Sequence, residues 1–376
     1  MSLSNKNPVT LFTGQWADMP LEDMAGFAKS AGFDGLELAC WGNHFDVRKA
    51  VSEGGRDYIS HALDILKKYE LGVWSFGAHL VGQAVSAKFA NDPDLLAILP
   101  EHIRSDNPET VRKAAVAELQ DTARAVELFR EVARSKFGTE AIEKYSANVI
   151  TGFVGSPIWH KAYEFPPVRD KRAEIQRGFE DVVNRMNPVL DTFARTGNKF
   201  ALEVHPTEIA FDTVTAHKLL DSMQRPDVFG VNNDASHFGY QGVNYLKYID
   251  EMANRGALFH SHMKDVAWGL GDGGGGVHGS HLEFGDSKRY WDFKSIGRGN
   301  IDNKAVVQRL VDNGYEGPLS IEWEDALLKR QAGATASQLI VRGIRDSNDE
   351  LIQRGMKMYE DKENYARAQF EASFAK

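Results

Sequence analysis

Short apolar runs alternate with longer amphipathic ones along the whole chain. Val9-Thr10-Leu11-Phe12 precedes Leu21–Ala31, whose apolar positions recur at helical spacing and whose stop signal is Gly32; Gly35-Leu36-Glu37-Leu38 then precedes a helical pattern over 58–69. Gly72-Val73-Trp74-Ser75-Phe76 is followed, after a long gap, by a helix rich in Ala, Glu, Leu and Arg over 111–133, and the apolar run 148–153 by a charged helix over 171–196. In the second half the strand-like runs 199–204, 228–231, 258–263 and 318–321 lead to helical patterns over 212–222, 243–254, 302–313 and after Ala334.

Eight strands, each with a following helix, predict an α/β protein of the (β/α)8 TIM-barrel type, one domain over residues 8–346. A doubly wound sheet would require a glycine fingerprint just after the first strand, and Thr13-Gly14-Gln15-Trp16 does not supply it. Two long βα loops interrupt the beat, residues 80–110 and 266–300, the second containing four consecutive glycines at 273–276. With Trp268, Phe284, Tyr290 and Trp291 nearby, that second loop reads as a mobile lid, a surface excursion or a subunit contact. Beyond Ser347 a charged amphipathic stretch with Leu351, Ile352, Met356, Tyr359 and Tyr365 on one face predicts a C-terminal helical extension over 347–376. It packs either on its own barrel or on a neighbouring copy, so a homo-oligomer stays open.

Composition narrows the partners. At 376 residues, 42% hydrophobic and 26% charged, the chain is an ordinary globular protein with enough length for a large core. A net charge of -9 argues against a surface that tracks a phosphate backbone, and no stretch is long and apolar enough to span a bilayer. The single cysteine, Cys40, excludes an internal disulfide and a Cys-rich zinc cluster. The N-terminal residues Met1 to Asn7 lack the apolar core of a signal peptide, so the expected location is cytoplasmic, with neither nucleic acid nor membrane as a partner.

Four residues each close one of the apolar runs of the second half: Glu203 in Phe200-Ala201-Leu202-Glu203, Asp234 in Val231-Asn232-Asn233-Asp234, His262 in Leu258-Phe259-His260-Ser261-His262, and Glu322 in Leu319-Ser320-Ile321-Glu322. Taken singly, Glu322 reads as a salt-bridge partner and His262 as a hydrogen-bonded structural histidine. Taken together they meet at the C-terminal mouth of a barrel, where three carboxylates repel one another unless a cation compensates. The oxygen-rich set calls for one hard divalent ion, Mn2+ first, then Mg2+ or Co2+, with Zn2+ still open. Such an ion leaves two positions for a hydroxy-ketone, whose carbonyl it polarises while a neighbouring carbon loses its proton to give an enediolate.

Around these residues stand Glu203-Val204-His205-Pro206, Asp234-Ala235-Ser236-His237, His260-Ser261-His262-Met263-Lys264-Asp265, Gly297-Arg298-Gly299-Asn300-Ile301-Asp302, and the run from Gly314 to Asp325 that holds Ser320-Ile321-Glu322-Trp323-Glu324. This series resembles the strand-end motifs of the xylose isomerase-like sugar isomerase/epimerase superfamily, which includes tagatose epimerases and inosose-processing enzymes. The first half resembles it only in its βα rhythm, apart from Ala31-Gly32-Phe33-Asp34-Gly35-Leu36-Glu37-Leu38. The resemblance implies a metal-dependent barrel with Glu203, Asp234, His262 and Glu322 as ligands. It further implies that Glu203 and Glu322 act as acid and base on opposite faces of the substrate, while His237 binds a substrate oxygen.

Within the motifs, His260 competes with His262 for the ligand role because alternate residues of a strand point the same way, and Glu324 competes with Glu322. Lys264 and Arg298 join the substrate-binding set, and Asp265 reads as an ion-pair partner at the mouth. His205 and Glu208 read as substrate-binding or supporting groups. Trp16, Glu37, His44 and His79 lie at or beyond strand ends and line the pocket or fill the core; Trp16 would offer a flat wall to a sugar.

The leading expectation is an isomerase or epimerase of a keto-sugar or related polyol. The same proton abstraction, followed by loss of a group from the adjacent carbon, would give a lyase or hydratase on 3-keto-glycosides. A phosphodiester nuclease is disfavoured by the acidic balance, and an inactive barrel subunit or sugar-binding scaffold is the non-enzymatic alternative.

Overall fold

Among the described residues ten strands form: β1 (Val9–Phe12), β2 (Gly35–Ala39), β3 (Gly72–Gly77), β4 (Val149–Gly152), β5 (Lys199–Glu203), β6 (Phe229–Asn233), β7 (Leu258–Met263), β8 (Asp265–Trp268), β9 (Trp291–Lys294) and β10 (Leu319–Ile321). The structure is a computed structural model that describes residues 6–163 and 171–365, so the predicted extension is followed only to Tyr365 and Met1 to Asn5 lie outside the described residues. β1 to β7 and β10 close a parallel eight-stranded barrel, sealed where Val9 pairs with Leu319 and Leu11 with Ile321. All eight predicted barrel strands are present. Their side chains are buried almost throughout, as expected for a parallel sheet with helices packed around it.

The helices begin and stop where local chemistry directs. Leu21–Ala31 ends on Gly32, whose left-handed φ of 87° lets its N–H reach back to the carbonyls of Ala28 and Lys29. Thr213–Met223 opens on a reciprocal capping box between Asp212 and Thr215, and Pro108–Phe137 on the Asn107 side chain with proline in the first turn. Phe45, Phe76 and Phe129 interlock between the barrel wall and the outer helices, with ring centroids 4.7–6.3 Å apart.

Both long gaps carry structure. The helix His79–Ser86 runs into residues 80–110, which also hold Pro93–Ile98. The first lies so close to the end of β4 that a Cβ on Gly82 would stand 2.1 Å from the Phe153 carbonyl oxygen. In the second gap β8 and β9 pair antiparallel, Asp265 opposite Lys294 and Trp268 opposite Trp291. This hairpin folds over the mouth of the barrel.

Asp265 anchors the return from the hairpin, and here the expectation of an ion pair is corrected. Among the described residues its carboxylate accepts four backbone N–H groups, from Val266 at 2.8 Å, Gly297 at 2.9 Å, Gly299 at 3.0 Å and Ile301 at 3.1 Å. Burial pushes the carboxyl up to about 6 even against those four donors. Glycine is required at 299 because a Cβ there would fall 2.1 Å from the Asp265 oxygen.

The C-terminal helix Asp349–Met358 packs on Arg330–Arg345, Gly343 against Ile352 and Gly355 against Ile340. The Tyr359 hydroxyl donates to the Ile296 carbonyl at 2.8 Å. The described part of the extension therefore covers its own barrel. Asp265→Asn, which offers one acceptor oxygen in place of two and turns an NH2 toward N–H groups, is expected to destabilise the fold by about 2–4 kcal/mol. A lower denaturant midpoint at unchanged slope, with faster hydrogen exchange at Gly297, Gly299 and Ile301, is the measurement that checks it.

Candidate active site

A polar layer crosses the barrel just below its mouth. Glu37, fully buried on β2, accepts hydrogen bonds from Thr151 Oγ1 and Ser320 Oγ, each at 2.6 Å. His260 Nε2 lies 3.2 Å from the same carboxylate and 3.0 Å from Ser75 Oγ, while its Nδ1 faces Asn232 Oδ1 at 3.0 Å. Burial drives the Glu37 carboxyl up, but the His260 and His262 imidazoles outweigh it and hold the group well below the ordinary range. Burial also lowers His260 to about 4. Six strands thus contribute one polar side chain each to a buried group, and each is satisfied by another.

Above this layer the predicted carboxylates meet. Glu203 Oε2 accepts from Asn232 Nδ2 at 2.8 Å and lies 3.3 Å from His79 Nε2, while Oε1 lies 3.0 Å from His237 Nε2. Asp234 takes the backbone N–H of Ser236 on Oδ1 and stands 3.1 Å from Lys264 Nζ through Oδ2. Glu322 accepts from Gln15 Nε2 at 3.0 Å and from Lys264 Nζ at 2.7 Å. Ligand atoms of Glu203, Asp234, His237 and Glu322 all lie within 4.8 Å of one another, and all four residues are buried.

Besides His79, two imidazoles border the carboxylates. His237 completes the tight group of four, whereas His262 enters two overlapping groups, one with Glu37 and His260 and one with His79 and Glu203. His262 Nδ1 lies 2.8 Å from Glu203 Oε2 and 3.3 Å from Glu322 Oε2, and its Nε2 lies 3.3 Å from both Glu37 oxygens. Of the two strand β7 histidines, His262 therefore fronts the carboxylates and His260 lies one layer below. Of the two glutamates after β10, Glu322 belongs to the cluster, while Glu324 reaches it only through Lys264, at 3.0 Å, and Gln15.

The donor set fits a divalent cation. Asp234 Oδ2 and His262 Nδ1 are buried without a well-formed hydrogen bond, although charged atoms stand close to both. Burial raises the Glu203 carboxyl and the His262, His237 and His79 rings more than reverse that; burial raises Glu322 and Lys264 brings it down to about 2. Several ionised oxygens thus face one space, compensated by Lys264 and by the His237 and His262 imidazoles, which burial disfavours as cations and the carboxylates hold protonated.

The surroundings sort the remaining candidates. His205 packs its ring edge against His237, centroids 4.1 Å apart, and burial with the His237 charge lowers it to about 3. Phe12 stacks on His262 at 5.0 Å, and Phe293 of the hairpin covers His237 at 5.3 Å and Lys264 Nζ at 4.5 Å. Eight of the ten predicted site residues, Glu203, His205, Asp234, His237, His262, Lys264, Glu322 and His79, form this one cluster. Trp16 and Arg298 do not. Trp16 is fully buried against Phe27 at 4.9 Å with the Arg330 guanidinium over its ring, and Arg298 pairs with Asp325 and lies over Tyr359 and Tyr365. His44 is also buried away from this cluster, and burial lowers it to about 4.

Gln15, Asn232 and Phe293 are the contacts that sequence reasoning missed. Gln15 stood in view only as part of a failed glycine fingerprint, and Phe293 depends on the hairpin. Asn232 carried a signal: an amide inside an apolar run that becomes a buried strand needs a partner, as do Ser75, Thr151 and Ser320.

The family model for xylose isomerase-like TIM barrels matches residues 25–356. A search of curated proteins finds no match. Among solved structures the chain is similar to a D-tagatose 3-epimerase-like protein, at 16% identity and a TM-score of 0.58 over 91% of this chain and 98% of that one. It is similar to the probable 3-DHS dehydratase AsbF of Bacillus anthracis, at 15% identity and a TM-score of 0.58 over 89% of this chain and 98% of that one. It is also similar to the 3-keto-D-glucoside 4-epimerase YcjR of E. coli, at 14% identity and a TM-score of 0.57 over 90% and 99%. At such identities the likeness is one of fold.

Glu208, beside the cluster, yields a pH prediction. Its Oε2 accepts the N–H groups of Val154 and Gly155, each at 2.7 Å, yet burial keeps the carboxyl raised to about 8 from an ordinary 4.5. The folded protein then holds a proton that the unfolded chain releases, so this contribution is complete below pH 4.5 and is lost as pH rises through 8. Glu208→Gln removes the dependence. Between pH 5 and pH 9 the variant should gain about 3–5 kcal/mol on the native protein, measured by denaturant unfolding at each pH; parallel profiles would refute the assignment.

Proposed function

The chain belongs to the xylose isomerase-like TIM-barrel family, and on that premise we propose that it is a divalent-metal-dependent isomerase or epimerase. It moves a proton on the carbon beside the carbonyl of a keto-sugar or related polyol, by way of an enediolate. The observation that carries this reading is the convergence of buried carboxylates from β5, β6 and β10, or their immediate ends, on one small space bordered by imidazoles.

In this reading Glu203, Asp234, Glu322 and His262 Nδ1 hold the ion. Glu37 fixes the His262 ring from behind, in the manner of the carboxylates that commonly orient metal-bound histidines. Mn2+ suits the oxygen-rich set best, and Mg2+, Co2+ and Zn2+ are the competitors a metal analysis distinguishes. When bound, the ion polarises the substrate carbonyl and stabilises the charge that develops on its oxygen. Glu203 and Glu322 arrive from strands separated by β6 and β7, so a substrate between them meets a carboxylate on either side. Both are held ionised, which suits proton abstraction by one and, after transfer, return by the other. His237 and Lys264 supply N–H donors for substrate oxygens, with His79 and His205 beside them.

A second reading, a lyase or hydratase acting through the same abstraction, draws support from those donors. His237 and Lys264 stand 3.2 Å apart beside the carboxylates, where a leaving group could take a proton. Product analysis separates the two, since elimination yields an unsaturated product and epimerisation does not.

Glu203→Gln and Glu322→Gln are each expected to lower kcat/KM by about 10^2–10^4-fold, with the thermal midpoint showing that the variants remain folded. Chelation should abolish turnover and Mn2+ should restore it. A productive keto-sugar should acquire solvent deuterium at the reacting carbon; full retention of the carbon-bound hydrogen would exclude proton transfer.

A further inference from the structure

A cavity of about 420 Å3 lies beside the carboxylate cluster, walled by Ile158, Trp159, Phe179, Phe211, Tyr240 and Val277. Its size is that of a small-molecule site. The same loops build both compartments. The segment after Glu203 gives His205 to the cluster and Pro206 and Glu208 to the cavity; the segment after Asp234 gives His237 to the cluster and Tyr240 to the cavity. The β8–β9 loop roofs both. Phe293 covers Lys264 and His237, Val277 lines the cavity, and Trp291 ties them together by stacking on Tyr240 at 3.8 Å and donating to the Val277 carbonyl at 2.8 Å.

The walls select an apolar, flat occupant. Trp159 and Phe211 meet edge to face at 5.2 Å, and Tyr240 presents a third ring. Some polar side chains on the lining are engaged: Gln241 donates to the His237 and Phe211 carbonyls, Thr215 completes the cap of its helix, Lys161 pairs with Glu174, and Glu208 takes two backbone N–H groups on Oε2, while its Oε1 is buried without a partner. A second sugar ring would bring several hydroxyls against these largely apolar walls, and each unpaired one costs binding energy. An aryl ring asks for none.

We propose that the substrate is a keto-sugar joined to an aryl aglycone, whose ring fills the cavity between Trp159, Phe211 and Tyr240 while the sugar lies at the carboxylates. This rests on the keto-sugar reading of the cluster and extends it to a glycoside. The test uses the full chain loaded with Mn2+ and three unreactive probes, phenyl glucoside, glucose and cellobiose, titrated calorimetrically. Phenyl glucoside should bind at least tenfold more tightly than glucose. Trp159→Ala, which removes one wall, and Val277→Trp, which fills the space from the loop, should each erase that preference. Equal affinity for phenyl glucoside and glucose, or binding of neither, overturns the proposal. Tighter binding of cellobiose overturns it too and assigns the cavity to a second sugar. Solvent deuterium exchange into a free keto-sugar is read separately: exchange without aryl preference removes the aglycone and leaves the proton-transfer reading, and aryl preference without exchange does the reverse.

Discussion

Ionised carboxylates buried together set the terms for the rest of this molecule. Glu37, Glu203, Asp234 and Glu322 lie within two adjacent layers at the barrel mouth, each nine-tenths or more buried. Carboxylates so far from water are tolerable only when cations and hydrogen bonds face them from every side. The fold supplies these from separate strands: Thr151, Asn232, His260, His262, Ser320 and Lys264 come from four of them or from their immediate ends. A closed parallel barrel achieves this convergence because every strand ends at the same rim.

The cluster also explains the shape of the mouth. Charges that attract one another strongly at low dielectric need water kept out, and the hairpin β8–β9 contributes Phe293 for that purpose. The hairpin is in turn held by Asp265, next in sequence to Lys264, through three backbone N–H groups from its returning loop and that of Val266. One dipeptide thus couples the electrostatics of the site to the position of its cover. The same loop reaches the aromatic cavity through Trp291 and Val277, so a substrate filling both compartments would lie beneath a single structural element.

The two residues that stand apart are instructive for the same reason. Arg298 sits in a glycine-rich motif beside the mouth, but Asp325 and two tyrosines of the C-terminal segment draw its guanidinium away. Trp16 follows β1 closely, yet its indole fills the space between the first helix and Arg330. Proximity to a strand end in sequence places a backbone near the site; the direction of a side chain depends on which neighbour offers it the better contact.

The eight-stranded order was legible in the sequence because strand and helix periodicities differ and because glycine, proline and capping residues mark the boundaries. So was the convergence of Glu203, Asp234 and Glu322, since residues that end consecutive parallel strands must share one rim. The choice between His260 and His262 was not legible, because both side chains point inward and only their heights in the barrel, fixed by the pairing of β7 with β6 and β10, separate them. Nor was the competition of His237 with His262 for the same space, the contribution of Gln15 from a turn more than 300 residues from Glu322, or the hairpin that covers them. Sequence pattern determines which residues reach the rim, since periodicity is local; tertiary structure alone decides which atoms touch, since contacts between distant segments follow from register and packing.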